Sequence, residues 1–110
     1  MEKERRSAPR ARVNLPARWE GTVSREQATI TDLSRSGCFV LSAGRVAKKD
    51  LVWLEIQIPD HEPVQFWAEV VDVASEIGFA VRFNSSSTED EQSLATFLEG
   101  VFQSGAQKKA

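Results

Sequence analysis

Apolar and polar residues alternate along most of this chain with the two-residue period of half-buried strands, and the alternation breaks only at turn-like clusters. Val13, Leu15, Ala17 and Trp19 share one face, opposite Asn14, Pro16, Arg18 and Glu20. Pro16 has no N–H to give, which predicts an unpaired side or a bulge in that strand. Gly21 to Gln27 reads as a polar turn, Ala28 to Thr31 as a short strand and Cys38 to Ser42 as the next. After a basic connector, Val52, Leu54, Ile56 and Ile58 form one face of a strand and Trp53, Glu55 and Gln57 the other. Val64, Phe66, Ala68 and Val70 repeat the pattern against Trp67, Glu69 and Val71, and Ile77, Phe79, Val81 and Phe83 repeat it against Gly78, Ala80 and Arg82. No segment has the continuous apolar character of strands covered on both sides. An antiparallel sheet curled over one core follows, and closing it into a small barrel would remove its exposed edges.

The period changes near the C-terminus. Leu94, Phe97, Leu98, Val101 and Phe102 fall on one helical stripe, behind Glu89, Asp90 and Glu91 at the positive end and Ser87 or Thr88 as a cap. The spacing predicts a helix over 88–103 that stops near Gly105 and packs on the sheet, on a barrel mouth or against a second copy. Trp53 and Trp67 face outward, and the expectation is that this helix covers them.

At 110 residues, with 41% apolar and 27% charged residues, the chain fits one soluble domain, 1–110. Its formal net charge of -2 gives no overall field for polyanions. The charge is unevenly placed: Lys3, Arg5, Arg6, Arg10 and Arg12 crowd an aperiodic first dozen residues that contain Pro9. These form an irregular arm, 1–12, ahead of a barrel at 13–83. The lone Cys38 excludes an internal disulfide and reads as a buried thiol; no stretch is long enough for a membrane span or secretion signal, so the expected location is cytoplasmic. His61 sits in a turn without partner ligands nearby in sequence. No acid–base pair or metal cluster is evident, so the expectation is a binding protein and not an enzyme.

Two segments carry candidate chemistry. Arg6-Ser-Ala-Pro-Arg10 spaces two guanidinium groups on a restricted backbone, able to close on an anion from two sides or to remain a solvated tail. Asp32-Leu-Ser-Arg-Ser-Gly37 places acceptors and a glycine between two strands. Asp32 and Ser34 can face a ligand or close an Asx- or Ser-type turn, and Gly37 can serve positive φ or close approach to a ligand.

Together, Arg6-x-x-x-Arg10 and, some twenty residues on, Asp32-x-Ser34-x-x-Gly37 resemble the PilZ domain family, bacterial receptors for the second messenger cyclic di-GMP. Asn14-Leu15-Pro16, Cys38-Phe39-Val40 and Ile77-Gly78-Phe79-Ala80-Val81-Arg82-Phe83 extend the match over nearly the whole chain. The resemblance implies an all-β fold, a six-stranded antiparallel barrel of split-barrel type with a flexible N-terminal arm and a C-terminal helix. It also implies that Arg6 and Arg10 clamp guanine and phosphate, that Asp32 and Ser34 meet them from the barrel surface and that Gly37 shapes the turn. Arg5, directly before Arg6, resembles the pattern of receptors that take a stacked, intercalated ligand dimer. Cyclic di-GMP is then the ligand, no cofactor is needed, and arm closure signals to an effector protein in processes such as motility or biofilm formation; monomer and homodimer both remain open. Two other classes compete. One is a nucleotide-independent PilZ-type adaptor acting through Trp53, Trp67 and the helix. The other, a small-barrel RNA or single-stranded DNA binder, is disfavoured by the acidic total charge and the absence of Tyr.

Overall fold

The alternating segments become strands because each can bury one face against a shared core while its neighbours satisfy the backbone. The computed structural model describes the backbone of residues 9–109 and the side chains of residues 9–103. Within it lie β1 (Ala11–Glu20), β2 (Arg25–Leu33), β3 (Gly37–Leu41), β4 (Leu51–Ile56), β5 (Val64–Ala74), β6 (Gly78–Ser85) and α1 (Thr88–Lys109). The strands form a closed antiparallel barrel in the order β1-β2-β3-β6-β5-β4, and β4 returns to β1. The all-β, six-stranded barrel and its C-terminal helix agree with expectation.

Trp19, Phe66, Phe79, Ile30, Leu54 and Val40 are among the fully buried side chains that fill the barrel. Trp19 meets Phe79 edge to face at a centroid distance of 5.1 Å, and its Nε1–H donates to Ser42 Oγ at 2.9 Å, so the indole is buried with its polar atom satisfied. Cys38 lies in this core as expected; burial pushes its thiol up, which suppresses the reactive thiolate. Pro16 pairs with Thr29 on β2, whereas β1 meets β4 only from Ala17 onward. Its missing N–H therefore falls where the β1–β4 ladder stops, and Gln57 N closes the ladder by donating to Pro16 O at 2.9 Å.

Several boundaries differ from the sequence reading. The barrel strands run over 11–85, two residues beyond 13–83 at either end, so Ala11 and Arg12 belong to β1 and not to the arm. β2 is much longer than Ala28 to Thr31. Its polar start, Arg25 to Gln27, pairs with Arg18 to Glu20, and its end places Asp32 and Leu33 opposite Arg12 and Ala11. Ile77 is 55% exposed instead of inward, because it lies in the β5–β6 turn beyond the barrel end, with its N–H donating to Ala74 O. The helix passes both Gly100 and Gly105, since a glycine stops a helix by taking the left-handed conformation and no described glycine does so.

Helix α1 is seated by its first turns. Ser87 Oγ caps it by accepting from Asp90 N at 3.0 Å; Leu94 and Leu98 are buried in the core, with Phe97 and Val101 packed against it. Asp90 Oδ2 accepts from Gln65 N at 3.1 Å, tying the helix start to β5. Asp90→Ala leaves that partly buried amide unpaired and is expected to cost about 1–2 kcal/mol. Urea unfolding checks this as a lower midpoint at unchanged slope; an unmoved midpoint refutes it.

Candidate functional site

The β2–β3 connection is built by one hydroxyl. Ser34 is 5% exposed; its Oγ accepts from Ser36 N and Gly37 N at 3.1 and 3.2 Å, lies 3.2 Å from Ser36 Oγ and donates to Gly37 O at 3.2 Å. Ser34 N also donates to Gly37 O at 2.9 Å. Ser34 thus forms the Ser-type turn that its residue type allows. The polar groups that this leaves at the surface belong to Arg35 and Ser36, both exposed.

Asp32 is not in the turn. It ends β2 on the outer face, half-buried, opposite Arg12 on β1 and Phe39 on β3. Among the described residues its carboxylate takes no side-chain hydrogen bond or ion pair, so its acceptor capacity is intact. Arg10 is exposed one residue ahead of the Ala11–Leu33 pair, and the register therefore sets it beside the Ser34 end of the turn. Arg5 and Arg6 lie outside the described residues.

Gly37 opens β3 opposite Arg82, and its backbone is not in the positive-φ region. A Cβ there would stand 2.1 Å from Val81 O, so the glycine admits a close approach of β6 to β3. The expectation of positive φ is thereby corrected: what requires the glycine in the fold is the close approach of the protein's own β6 backbone.

Three arginines at or flanking this end of the barrel are without a carboxylate partner among the described residues. Arg10, Arg12 and Arg35 make no ion pair among the described residues, whereas Arg18, Arg25 and Arg82 are each held by a glutamate at 2.8–3.1 Å. Arg35 and Ser36 also line a cleft of about 360 Å³ with Phe83, Asn84, Glu91 and Leu94, and Phe83 N donates to Ser36 O at 2.8 Å. Turn, β6 and helix start therefore meet at one place. Arg35 and Arg12 gain weight only once strand pairing is known. Their signal in sequence was bare charge.

Trp53 and Trp67 are cross-strand partners on β4 and β5, packed edge to face at 5.2 Å. Trp67 is 46% exposed, so the expected cover by the helix is not found; α1 spends Leu94, Phe97, Leu98 and Val101 on the core, while Phe102, at the end of the expected stripe, is exposed. Among the described residues no helix is long and apolar enough to cross a membrane.

Solved structures share this architecture. The chain superposes on the Bacillus subtilis inhibitor of motility MotI/DgrA with a TM-score of 0.78 at 16% identity, over 94% of this chain and 52% of that one. It matches the PilZ domain of Escherichia coli YcgR with c-di-GMP at a TM-score of 0.76 and 15% identity, over 96% and 97% of the two chains. The PilZ domain of CeSA from a cellulose synthesizing bacterium gives 0.62 at 16% identity, over 86% and 96%. The chain spans about half the length of MotI/DgrA. No curated protein matches it significantly in sequence. At such identities the structures establish the fold alone, but the sequence pattern of the PilZ domain matches residues 4–100, and on that ground the chain belongs to the PilZ domain family.

Proposed function

We propose that this domain is a receptor for cyclic di-GMP, held between Asp32 on the rigid barrel and the arginines of the N-terminal segment, Arg5, Arg6 and Arg10. The observation that carries the reading is the β1–β2 register, which sets Arg12 opposite an Asp32 whose carboxylate is unengaged among the described residues, with Arg10 two positions further along the chain toward the arm. A carboxylate accepts from guanine N1–H and N2–H, while guanidinium groups suit guanine O6 and N7 or phosphate oxygens. Ser34 and Gly37 act in this site by holding the turn and the β3–β6 approach. The solved YcgR structures, described as complexes with c-di-GMP, support the ligand class by family likeness.

Arg5 directly precedes Arg6, and the ligand is accordingly an intercalated dimer, two molecules per domain. Its phosphates offset the mutual repulsion of the arm arginines and draw the arm onto the barrel, changing the surface shown to an effector protein. Trp67, exposed beside Trp53, favours the outer face of β4 and β5 as a place where such a protein contacts the domain. Binding chemistry, with no turnover, is the activity proposed.

Calorimetric titration with cyclic di-GMP tests the reading, run beside amide exchange on the same samples. The expected result is saturable heat at two ligands per domain and added protection across residues 1–10. One ligand per domain refutes the dimer, unchanged exchange refutes arm closure, and no heat at high micromolar ligand refutes the receptor and leaves the adaptor.

A further inference from the structure

We propose that Phe39 is the platform on which the guanine base lies, a purine-contacting residue outside both the arginine pair and the Asp32-to-Gly37 segment; the inference rests on the receptor reading above. Register places it. Asp32 pairs with Phe39, and Phe39 pairs with Ala80, so Arg12, Asp32, Phe39 and Ala80 form one row across the outer face of β1, β2, β3 and β6. Directly paired residues hold their Cβ atoms about 4.5–5.5 Å apart, so the two side chains spring from neighbouring points, Asp32 on β2 and Phe39 on β3.

The ring does not stand away from the sheet. A Cβ built on Gly78 would meet Phe39 Cε2 at 3.0 Å, and Gly78, which falls on the outward face of β6, is nevertheless buried. The phenyl therefore leans from β3 toward β6 and brings its Cε2 edge to Gly78. Phe39 is half-buried, so part of the ring is open to solvent. An outward aromatic ring one strand away from an unengaged carboxylate suits a flat heterocycle: the base rests its face on Phe39 while its N1–H and N2–H edge meets Asp32. Arg12, on the far side of Asp32 and in no ion pair among the described residues, completes a row that reads cation, acceptor, aromatic.

Gly78 has a part in this. A Cβ there would first strike Val40 O at 2.1 Å and would also crowd Phe39 Cε2 at 3.0 Å, so the glycine serves the close β3–β6 approach and, with it, the position of the ring. Arg82, which the β3–β6 pairing sets beside Gly37, is held by Glu69 at 3.0 Å and so stays directed toward β5, clear of the ring.

The test uses the full chain with Phe39→Leu, Phe39→Trp and Asp32→Ala, each titrated with cyclic di-GMP after its unfolding midpoint has been compared with the parent. Phe39→Leu retains an apolar cover over Gly78 and removes the aromatic face; its affinity is expected to fall about tenfold. Phe39→Trp restores a face for stacking and is expected to bind within about twofold of the parent. Its added indole fluorescence should change along the same saturation curve as the heat. The proposal is overturned if Phe39→Leu binds like the parent while Asp32→Ala does not, or if Phe39→Trp saturates with no change in indole emission. Should Phe39→Leu fail to fold, the Phe39→Trp emission decides alone. If the parent itself binds no cyclic di-GMP, the receptor reading fails first and takes this one with it, an outcome distinct from failure at Phe39 only.

Discussion

Gly37→Ala is expected to destabilise the domain by about 3 kcal/mol, near the upper end of what overpacking a well-packed region costs. A methyl at this position would lie 2.1 Å from Val81 O and 3.2 Å from Arg82 Cα. Both are backbone atoms of a strand held on its other side by β5, so neither can swing away as a side-chain end would. Relief requires β3 to part from β6 at Gly37–Arg82, beside the hydrogen bond from Phe83 N to Ser36 O that fastens the β2–β3 turn. In thermal denaturation the loss should appear as a drop of more than about 10 °C in Tm. Gly100→Ala is the control: a Cβ there meets nothing within 4 Å, and on a helix it should gain a few tenths to about 1 kcal/mol. Equal melting of Gly37→Ala and the parent would show that the strands separate at no cost and that the close approach is not structural.

Asp32→Ala is the complementary case, a large effect on binding with little on stability. Asp32 has no side-chain partner among the described residues, so removing its carboxylate breaks no hydrogen bond of the fold. Losing an ionised acceptor from guanine costs about 1.5–3 kcal/mol, which is a ten- to hundredfold loss of cyclic di-GMP affinity. Arg10→Ala should weaken binding by a similar factor from the opposite side of the ligand. Calorimetry beside a melting curve separates these effects from Gly37→Ala, where folding fails first. An Asp32→Ala domain that binds as tightly as the parent would remove the guanine from this row of residues.

The barrel was legible because its signal is local. Period-2 alternation in β1, β4, β5 and β6 requires only that one face be buried, and Leu54, Phe66, Phe79 and their neighbours are buried as that pattern demands. Strand length was less legible where pairing is carried by the partner. Arg25 to Gln27 have no apolar alternation of their own and become strand because Arg18 to Glu20 extend the ladder beside them. The same holds for Asp32, a turn residue by type and a strand residue by its pairing with Arg12. Gly37 was conspicuous as a glycine, yet its reason lies in Val81 O, more than forty positions away. Trp67 failed for a related cause: outward parity is local, but what covers an outward face depends on where α1 spends Leu94 and Leu98. Phe39 reads in sequence as one more apolar strand residue. Only the row it shares with Asp32 makes it a candidate contact.

Closure of the barrel constrains how the domain can be read by another protein. A sheet with a free border can be lengthened by a partner's strand, with main-chain hydrogen bonds supplying the affinity. Here β4 returns to β1, and the ladder between them ends at Pro16. Beyond it, among the described residues, Ala11 to Leu15 lacks a β4 neighbour, and this stretch carries the register irregularity between Arg12 and Leu15 and is bounded by a residue that cannot donate. Irregularity and proline both discourage strand addition. Strand addition is thus disfavoured here, and a protein that met this domain would do so chiefly through side chains presented on its curved outer wall, at sites that a mutation could alter without touching a single main-chain hydrogen bond.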